Sequence, residues 1–298
     1  MQIVEPSPRD QPTCAPPLAN PSRPKLVLPP GSCDAHFHIV GPHRKFPFAK
    51  GRPFTPPDAP KEALFALHKH LGFERGVIVQ TSAHGTDHTV LLDALAAGEG
   101  RYCGVALLSA TTSTGEVAKL DAAGICGARF HFVPQLGAAL PLDDLWAVVR
   151  LVQPFGWHIA IHVTGNALLN VDDFIRKIEL PVVIDHIART DVNEGADGPA
   201  FTALRRLLDT GKVWVKLSGI DRISKQDPPF HDAVALAHVI ARQAPQQIVW
   251  GTDWPHFNAR IVPDDGQLVD AIDEIAPDQR TRNMMLVENP LKFFRFRG

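Results

Sequence analysis

The sequence has few cysteines, and none of them lie at short spacing. Only four occur in 298 residues, and no two of them form a CxxC motif. They are Cys14, Cys33, Cys103 and Cys126. A disulfide scaffold needs denser and more closely spaced cysteines than these. The pattern therefore predicts reduced thiols and a cytoplasmic chain.

An excess of positive charge is also missing. The formal net charge is −2, so the sequence offers no basic field that would attract nucleic acid. No apolar run reaches the roughly 18 residues of a membrane-spanning helix, and the N-terminus has no basic segment followed by an apolar one. We therefore expect neither a nucleic-acid partner nor a membrane partner.

Residues 1–30 have no helical or strand period and are rich in proline and polar residues. This composition is typical of an extended segment with a frayed start. We interpret residues 1–30 as a proline-rich N-terminal arm and residues 31–298 as one domain. Such an arm could wrap around a second subunit, which makes a homo-oligomer possible.

From residue 32 onward, short apolar runs alternate with amphipathic helical stretches. The apolar runs lie near 33–40, 76–80, 102–107, 127–132, 158–163, 182–186, 213–218 and 248–253. The helical stretches cover 60–72, 87–98, 114–123, 143–155, 199–210 and 231–243. Apolar strands that alternate with helices are typical of parallel βαβ units. Eight such units predict an α/β fold, a closed (β/α)8 TIM barrel. An open doubly wound sheet is the alternative, but its glycine-rich phosphate turn after the first strand is absent.

Two polar anchors stand at opposite ends of this domain. His36 and His38 are two residues apart in the first run, so on a strand they share a face and can bind one cation. Asp253 ends the last run, in the string Gly251-Thr252-Asp253-Trp254-Pro255-His256. A carboxylate at the C-terminal end of a barrel strand is typical of a catalytic residue.

Two more imidazoles follow the same placement, His162 in the fifth run and His186 at the end of the sixth. A lone histidine in an apolar run is more often a hydrogen-bonded core residue than a ligand. Four imidazoles and a carboxylate at one barrel end instead favour a metal such as zinc. We predict that His36, His38, His162 and Asp253 are ligands or near-ligands, and that His186 acts as an acid–base catalyst or an electrophile. Asp185 is expected to point to the other face of its strand.

These motifs resemble those of the amidohydrolase superfamily, in its amidohydrolase 2 group. The resemblance is carried by His36-x-His38, His162, His186 and the string 251–256, and it covers residues 30–296. Longer strings at 46–47, 52–59 and 80–87 are similar to those of a lactone-hydrolysing branch. That branch includes 2-pyrone-4,6-dicarboxylate lactonase and 4-sulfomuconolactone hydrolase.

The resemblance implies hydrolysis of a carboxylated or sulfonated lactone, of the muconolactone type met in aromatic degradation. Asp253 would activate water, and histidines would polarise the lactone carbonyl. Arginines in the branch hold the anionic groups of the substrate. The matching or lining positions in this sequence are Arg129, Arg222, Arg189, Ser82, His84 and Phe54. For the arginines, an ordinary ion pair is the competing interpretation, and for Ser82 and His84 it is loop capping.

Three departures from the pyrone lactonase pattern change the expectation. Gln135 stands where that enzyme has a second arginine, and an amide cannot hold a carboxylate as a guanidinium fork does. Phe54 replaces a tyrosine, and His162 stands where the metal-independent enzyme lacks a histidine. These differences disfavour the pyrone dicarboxylate as substrate. They favour one divalent metal, zinc or alternatively manganese, with metal-free operation as the remaining alternative.

Two other functions use the same residues. The first is metal-dependent, non-oxidative decarboxylation of a muconate or aromatic acid, which would release carbon dioxide instead of opening a ring. The second is a catalytically dead barrel that serves as a binding protein. A dead site is expected to have lost Asp253 or His186, and both are present.

Overall fold

Eight parallel strands form one sheet, and their order in the sheet follows their order in the chain. The computed structural model describes residues 13–136 and 139–296. The strands are β1 (Cys33–Phe37), β2 (Arg75–Val79), β3 (Tyr102–Ala106), β4 (Ile125–Phe132), β5 (His158–Val163), β6 (Val182–Ile184), β7 (Val213–Lys216) and β8 (Ile248–Val249). The predicted (β/α)8 barrel is thereby confirmed.

Main-chain hydrogen bonds between β1 and the segment after β8 close the barrel. Ala35 donates its N–H to the carbonyl of Trp250, and Asp253 donates to the carbonyl of His36, each over 2.8 Å. The N–H of His38 donates to the carbonyl of Trp254, also over 2.8 Å. The two polar anchors of the sequence are therefore joined directly through the backbone.

Helices pack around the outside of the barrel. They are α1 (Lys61–Leu71), α2 (Thr89–Ala97), α3 (Thr114–Ala122), α4 (Leu142–Val152), α5 (Ala167–Lys177), α6 (Pro199–Leu208), α7 (Ile220–Ile223), α8 (His231–Gln243), α9 (Asp265–Asp270), α10 (Ile272–Ile275), α11 (Gln279–Asn283) and α12 (Asn289–Phe293). The α5 helix was not among the predicted stretches. Its buried residues Leu168, Val171, Phe174 and Ile175 nevertheless follow the three- and four-residue spacing of an amphipathic helix.

The lower interior of the barrel, toward the amino ends of the strands, is apolar. It consists of Cys33, Ala35, Val77, Val79, Cys103, Val105, Cys126, Ala160, Val183, Trp214, Val249 and Phe294, all of them buried. The four cysteines of the chain are free, as their spacing predicted. In the described ranges 13–136 and 139–296, no helix is both long enough and apolar enough to cross a bilayer.

The described part of the N-terminal arm binds the barrel of its own chain. The N–H of Ser22 donates to both carboxylate oxygens of Asp264 over 3.0 Å. The N–H groups of Lys25 and Leu26 donate to Asp270 Oδ1 over 2.7 and 2.9 Å. The predicted frayed start, residues 1–12, lies outside the described residues.

Candidate active site

A cavity of about 550 Å³ opens at the carboxyl ends of the strands. Most of the predicted site residues line it, together with residues that were not predicted. The predicted ones are His38, His162, His186, Asp253, Arg129, Arg189, Arg222, Ser82 and Phe54. His36 lies beneath the cavity, where its side chain is fully buried. The sequence therefore located the mouth of the barrel correctly.

Asp253 lies at the centre of three imidazoles. Its Oδ1 atom is 3.4 Å from Nε2 of His38, 3.5 Å from Nε2 of His36 and 3.8 Å from Nε2 of His186. The guanidinium Nε of Arg222 donates to Oδ2, the other carboxylate oxygen. Burial alone would raise the pKa of Asp253, but Arg222 and then His186 hold that pKa well below its usual value. Asp253 is therefore an ionised carboxylate.

A break in the regular pleat of β1 places His36 inside the barrel. Asp34 is paired with Gly76 and Phe37 with Ile78, so β1 contains one extra residue between these two pairs. Such a bulge re-aims the side chains that follow it. Cys33 and Ala35 already face the interior, and the bulge lets His36 and His38 face Asp253 as well. The prediction that the two histidines share a face is confirmed.

The partner of each imidazole limits which ring nitrogen carries the proton. Nδ1 of His38 donates to the carbonyl of Val79 over 2.7 Å. Neutral His38 therefore has a free lone pair on Nε2, the atom that faces Asp253. Nδ1 of His186 lies 2.9 Å from the hydroxyl of Ser218, which can donate or accept.

His162 lies apart from this group. Its Nδ1 is 3.3 Å from Nδ1 of His131, and its ring packs edge-on against His186 with a centroid separation of 5.3 Å. Among the described residues, the ligand atoms of His36, His38 and Asp253 lie within 4.8 Å of one another, and those of His36, Asp185 and His186 form a second such group. His162 is in neither group, so its role as a further ligand stays a prediction.

Three arginines face the cavity, but their hydrogen-bond partners differ. Nε of Arg129 donates to Asp185 Oδ2 over 2.8 Å, and Nη1 of Arg222 donates to the carbonyl of Phe257 over 2.8 Å. Within the described part of the chain, the guanidinium of Arg189 has no hydrogen-bond partner. Burial, and next the nearby Arg222, lowers the pKa of Arg189. Arg189 is thus the most available of the three for an incoming anion.

Of the other predicted substrate contacts, two line the cavity and one does not. Ser82 and Phe54 line the cavity, and Phe54 packs against Phe257 with ring centroids 5.4 Å apart. His84 lies behind the wall, where Nδ1 donates to the carbonyl of Pro47 over 3.3 Å and the ring packs on Phe48. The side chain of Gln135 lies outside the described part of the structure.

The prediction that Asp185 points away from the site is wrong. Val183 faces the barrel interior, so strand alternation itself carries Asp185 inward, and His186 joins it only because the backbone turns left-handed at that residue. Oδ1 of Asp185 lies 3.2 Å from Nζ of Lys216 and 3.4 Å from Nδ1 of His36. Burial by itself would raise the pKa of Asp185, but Lys216 and Arg129 hold that pKa well below its usual value. Asp185 is therefore a buried carboxylate anion that contacts His36, Lys216 and Arg129 beneath the cavity.

Strained backbone follows β6. Residues 186–189, His-Ile-Ala-Arg, all have positive φ between 47° and 53°, and Asp253 has a φ of 63°. This left-handed conformation costs an L-residue roughly 1–2 kcal/mol. Strain of this kind persists where the surrounding structure over-determines it, commonly at functional sites.

A close approach of the backbone explains one nearby glycine. A Cβ atom at position 251 would lie 2.6 Å from the backbone nitrogen of His36. Only glycine lets the segment that carries Asp253 pack this closely against β1.

Sequence reasoning missed several residues of the site. His131 follows Arg129 by two residues on β4 and lines the same cavity, so the alternation rule could have found it. Asp34 accepts from the N–H of Thr252 over 3.0 Å and from its hydroxyl over 2.6 Å, which holds the segment carrying Asp253. Thr13 reaches the cavity from the arm, donating its N–H to the carbonyl of Thr55 over 2.8 Å. No local signal marks Asp34 or Thr13.

The atoms around Asp253 Oδ1 fit a divalent cation. Among the described residues, Oδ1 of Asp253 and Nε2 of His36 are buried without a hydrogen-bond partner. Two ligands on a tetrahedral zinc ion, each bonded at ~2.0–2.1 Å, are separated by about 3.3 Å. The observed separations of 3.4 and 3.5 Å from Oδ1 to His38 and His36 are close to this value. The cluster can therefore bind a metal.

The chain was compared with known protein families and proteins. The sequence model of the amidohydrolase family matches residues 33–296. A 2-pyrone-4,6-dicarboxylate hydrolase of Comamonas testosteroni is 38% identical over 93% of this chain and 94% of its own length. A 4-sulfomuconolactone hydrolase of Hydrogenophaga intermedia is 36% identical over 98% of this chain and 97% of its own length.

A similar solved structure is a probable 2-pyrone-4,6-dicarboxylic acid hydrolase of Acinetobacter baumannii, determined with citric acid bound. It superposes with a TM-score of 0.80 at 25% identity. The match covers 89% of this chain and 99% of that one.

Proposed function

The chain belongs to the amidohydrolase family, and we propose that it hydrolyses a carboxylated or sulfonated lactone of the muconolactone type. One observation carries the proposal. An ionised carboxylate, Asp253, lies within 3.8 Å of three imidazoles at the floor of a cavity that is lined by three arginines. The relatives named as hydrolases of a pyrone dicarboxylate and of a sulfomuconolactone support it.

The charges around the cavity suit an anionic substrate. Arg129, Arg189 and Arg222 line it, and Asp253 is the carboxylate among the lining residues. Arg222 already pairs with Asp253 and Arg129 with Asp185, so Arg189 contributes an uncompensated positive charge. A guanidinium recognises a carboxylate through paired, charge-assisted hydrogen bonds, and a sulfonate also presents acceptor oxygens. A relative solved with citric acid, itself a polycarboxylate, is consistent with this preference.

The size and walls of the cavity suit a small planar ring. A volume of about 550 Å³ is within the range of small-molecule sites. Phe54 and Phe257 supply an apolar wall, while Thr81 and Ser82 supply hydroxyl groups on another side. The apolar wall can pack against the face of the ring, and the few polar groups can hydrogen-bond to its oxygen atoms.

Asp253 is the proposed general base. It takes the proton of the attacking water and later returns a proton to the ring oxygen that leaves the carbonyl carbon. Because Arg222 keeps its pKa low, Asp253 alone is a weak base. A divalent cation, zinc or alternatively manganese, held by His36, His38 and Asp253 with His162 as a predicted further ligand, would acidify the water and polarise the carbonyl when bound.

His186 is the proposed stabiliser of the tetrahedral oxyanion. Burial, opposed by Asp253, lowers the pKa of His186 to about 3, so its imidazole is neutral at working pH. When the Ser218 hydroxyl donates to Nδ1, the proton of the neutral ring lies on Nε2, the nitrogen that faces the site. A neutral imidazole in this tautomer donates a hydrogen bond to a developing oxyanion.

The experiment is a substrate panel with two product assays. Purified protein is incubated with carboxylated and sulfonated muconolactones and with matching uncharged lactones, and ring opening and carbon dioxide are measured together. We expect ring opening of anionic lactones without carbon dioxide. Release of carbon dioxide from a muconate or aromatic acid would replace this proposal with the decarboxylase. Equal turnover of charged and uncharged lactones would contradict the assigned role of the arginines.

A further inference from the structure

Nδ1 of His36 has two competing partners. It lies 3.0 Å from Nζ of Lys216 and 3.4 Å from Oδ1 of Asp185. An ammonium group only donates hydrogen bonds, and a carboxylate only accepts them. One ring nitrogen cannot accept from Lys216 and donate to Asp185 at the same time. The two contacts therefore represent two different tautomers of His36.

The tautomer determines what the opposite nitrogen can do. If Nδ1 accepts from Lys216, the proton of the neutral ring lies on Nε2, which points at Asp253 Oδ1 over 3.5 Å. That Nε2–H is a hydrogen-bond donor and has no lone pair for a metal. If Nδ1 donates to Asp185, Nε2 carries the lone pair, and the carboxylate supports the imidazole as a metal ligand.

The neighbouring His38 has no such choice. Its Nδ1 lies 2.7 Å from the carbonyl of Val79, which can only accept. Neutral His38 therefore always presents a lone pair toward Asp253. The two histidines of the motif therefore differ in the group that faces Nδ1. For His36 it is a hydrogen-bond donor, the Lys216 ammonium, and for His38 it is an acceptor, the Val79 carbonyl.

Asp185 has a second cationic partner besides Lys216. Arg129 already donates to the other carboxylate oxygen of Asp185 over 2.8 Å. Lys216 is nevertheless fully buried at the end of β7, where holding an ammonium group is costly. Its shorter contact is the one to His36, at 3.0 Å against 3.2 Å to Asp185.

We propose that Lys216 is a positioning residue that keeps the proton of His36 on Nε2 and thereby weakens cation binding at His36, His38 and Asp253. In the metal-free protein, His36 then serves as a hydrogen-bond donor beside Asp253. A cation held by Nε2 of His36 would require the other tautomer, in which Nδ1 donates to Asp185. The inference deepens the proposed function, because its catalytic meaning depends on that function.

The first test reads the tautomer directly in the wild-type protein. Long-range ¹⁵N–¹H correlation spectra of the metal-free protein identify the protonated nitrogen of each histidine ring, and the His36 signals are assigned by their loss in His36→Asn. We expect the Nε2–H tautomer for His36 and the Nδ1–H tautomer for His38. An Nδ1–H tautomer for His36 in the metal-free wild type would overturn the proposal.

The second test measures zinc affinity. In Lys216→Met, which keeps the length of the side chain but has no donor, we expect His36 to become Nδ1–H and zinc to bind roughly 10- to 100-fold more tightly, the range expected for losing one competing charged hydrogen bond. In Asp185→Asn we expect weaker zinc binding with His36 unchanged as Nε2–H. Lys212→Met is the matched control, because Lys212 donates to the carbonyls of Arg176 and Ile178 instead of a histidine.

The outcomes distinguish an effect of the His36 tautomer on zinc affinity from an effect of the lysine charge alone. They also keep this inference separate from the proposed lactone hydrolysis. If zinc affinity changes in Lys216→Met while the His36 tautomer does not, removal of a positive charge explains the result and the proposal is wrong. Unchanged affinity in Lys216→Met also contradicts it. Zinc binding and tautomers are measured without substrate, so a protein inactive on every lactone would defeat the proposed function without deciding this inference.

Discussion

The two halves of the barrel interior are built from the same strands but are opposite in character. The lower half is an apolar cluster that includes Val77, Val105 and Val249. The upper half holds the buried polar residues that surround Asp253 and Asp185. The lower half has stacked apolar side chains in ordinary strand geometry, whereas the upper half depends on residues whose backbone departs from it.

Bulges mark the boundary between the halves on two strands. In β1 the extra residue lies between Asp34 and Phe37, and in β4 it lies between Ile125 and Gly127. Ala35 and Cys126 lie within these bulges and face the apolar cluster. Above them the same strands supply His36 and Arg129 to the site. A bulge lets one strand contribute both to the core and to the polar layer without breaking the barrel.

The largest effect is expected from Asp253→Asn in the upper half. The amide keeps the shape but cannot take a proton from water, so kcat should fall by about 10²–10⁴-fold, and loss of the carboxylate that pairs with Arg222 should also lower the melting temperature. Turnover and thermal unfolding measure the two effects. Asp34→Asn is the matched comparison, since Asp34 accepts from Thr252 and His68; it should mainly lose stability. Full turnover by Asp253→Asn would refute the base assignment.

The next effect concerns substrate recognition at the rim. Arg189→Gln should raise KM for anionic lactones by about 10–100-fold, the equivalent of one charged hydrogen bond, and should leave uncharged lactones unaffected. Steady-state kinetics on paired charged and uncharged lactones measure this. Arg206→Gln, on the exposed face of α6, is the control. A fall in kcat for both kinds of lactone would instead indicate that Arg189 maintains the site structurally.

In the lower half we expect a smaller effect, which changes stability and leaves catalysis unchanged. Val105→Ala removes two methyl groups from a fully buried side chain and should cost roughly 1–3 kcal/mol of unfolding free energy. Its kcat and KM should remain within twofold of the wild type. Denaturant unfolding and kinetics together test this. A large change in KM would show that the two halves are mechanically coupled.

At neutral pH the smallest effect is a pH dependence, which develops only when chelator-treated protein is acidified. The pKa of His186 is about 3 in the folded protein, chiefly because of burial, against about 6.5 when unfolded. Stability is then complete above pH 6.5 and falls as the pH decreases toward 3, by up to ~1.4 kcal/mol per unit for this group. His186→Asn should reduce the slope by about one proton. An unchanged slope would mean that folding does not lower the pKa of His186.

The sequence predicted what depends on local periodicity. Alternating runs revealed the barrel, and the two-residue spacing of His36 and His38 correctly placed both on one face. The direction of Asp185 was predicted wrongly, because the strand was phased on His186, which enters the site only through the left-handed backbone at residues 186–189. The contact between Lys216 and His36 joins residues 180 positions apart. Neither a left-handed turn nor so distant a pairing leaves a periodic signal.

The most direct measurement of the central claim is hydrolysis in H₂¹⁸O. A carboxylated or sulfonated muconolactone is turned over in labelled water, and the product is analysed by mass spectrometry. Attack of an activated water on the lactone carbonyl predicts one ¹⁸O atom in the new carboxylate with every carbon retained, and the same product formed about 10²–10⁴-fold more slowly by Asp253→Asn. A product that has lost carbon dioxide, or one that carries no label, would contradict the account.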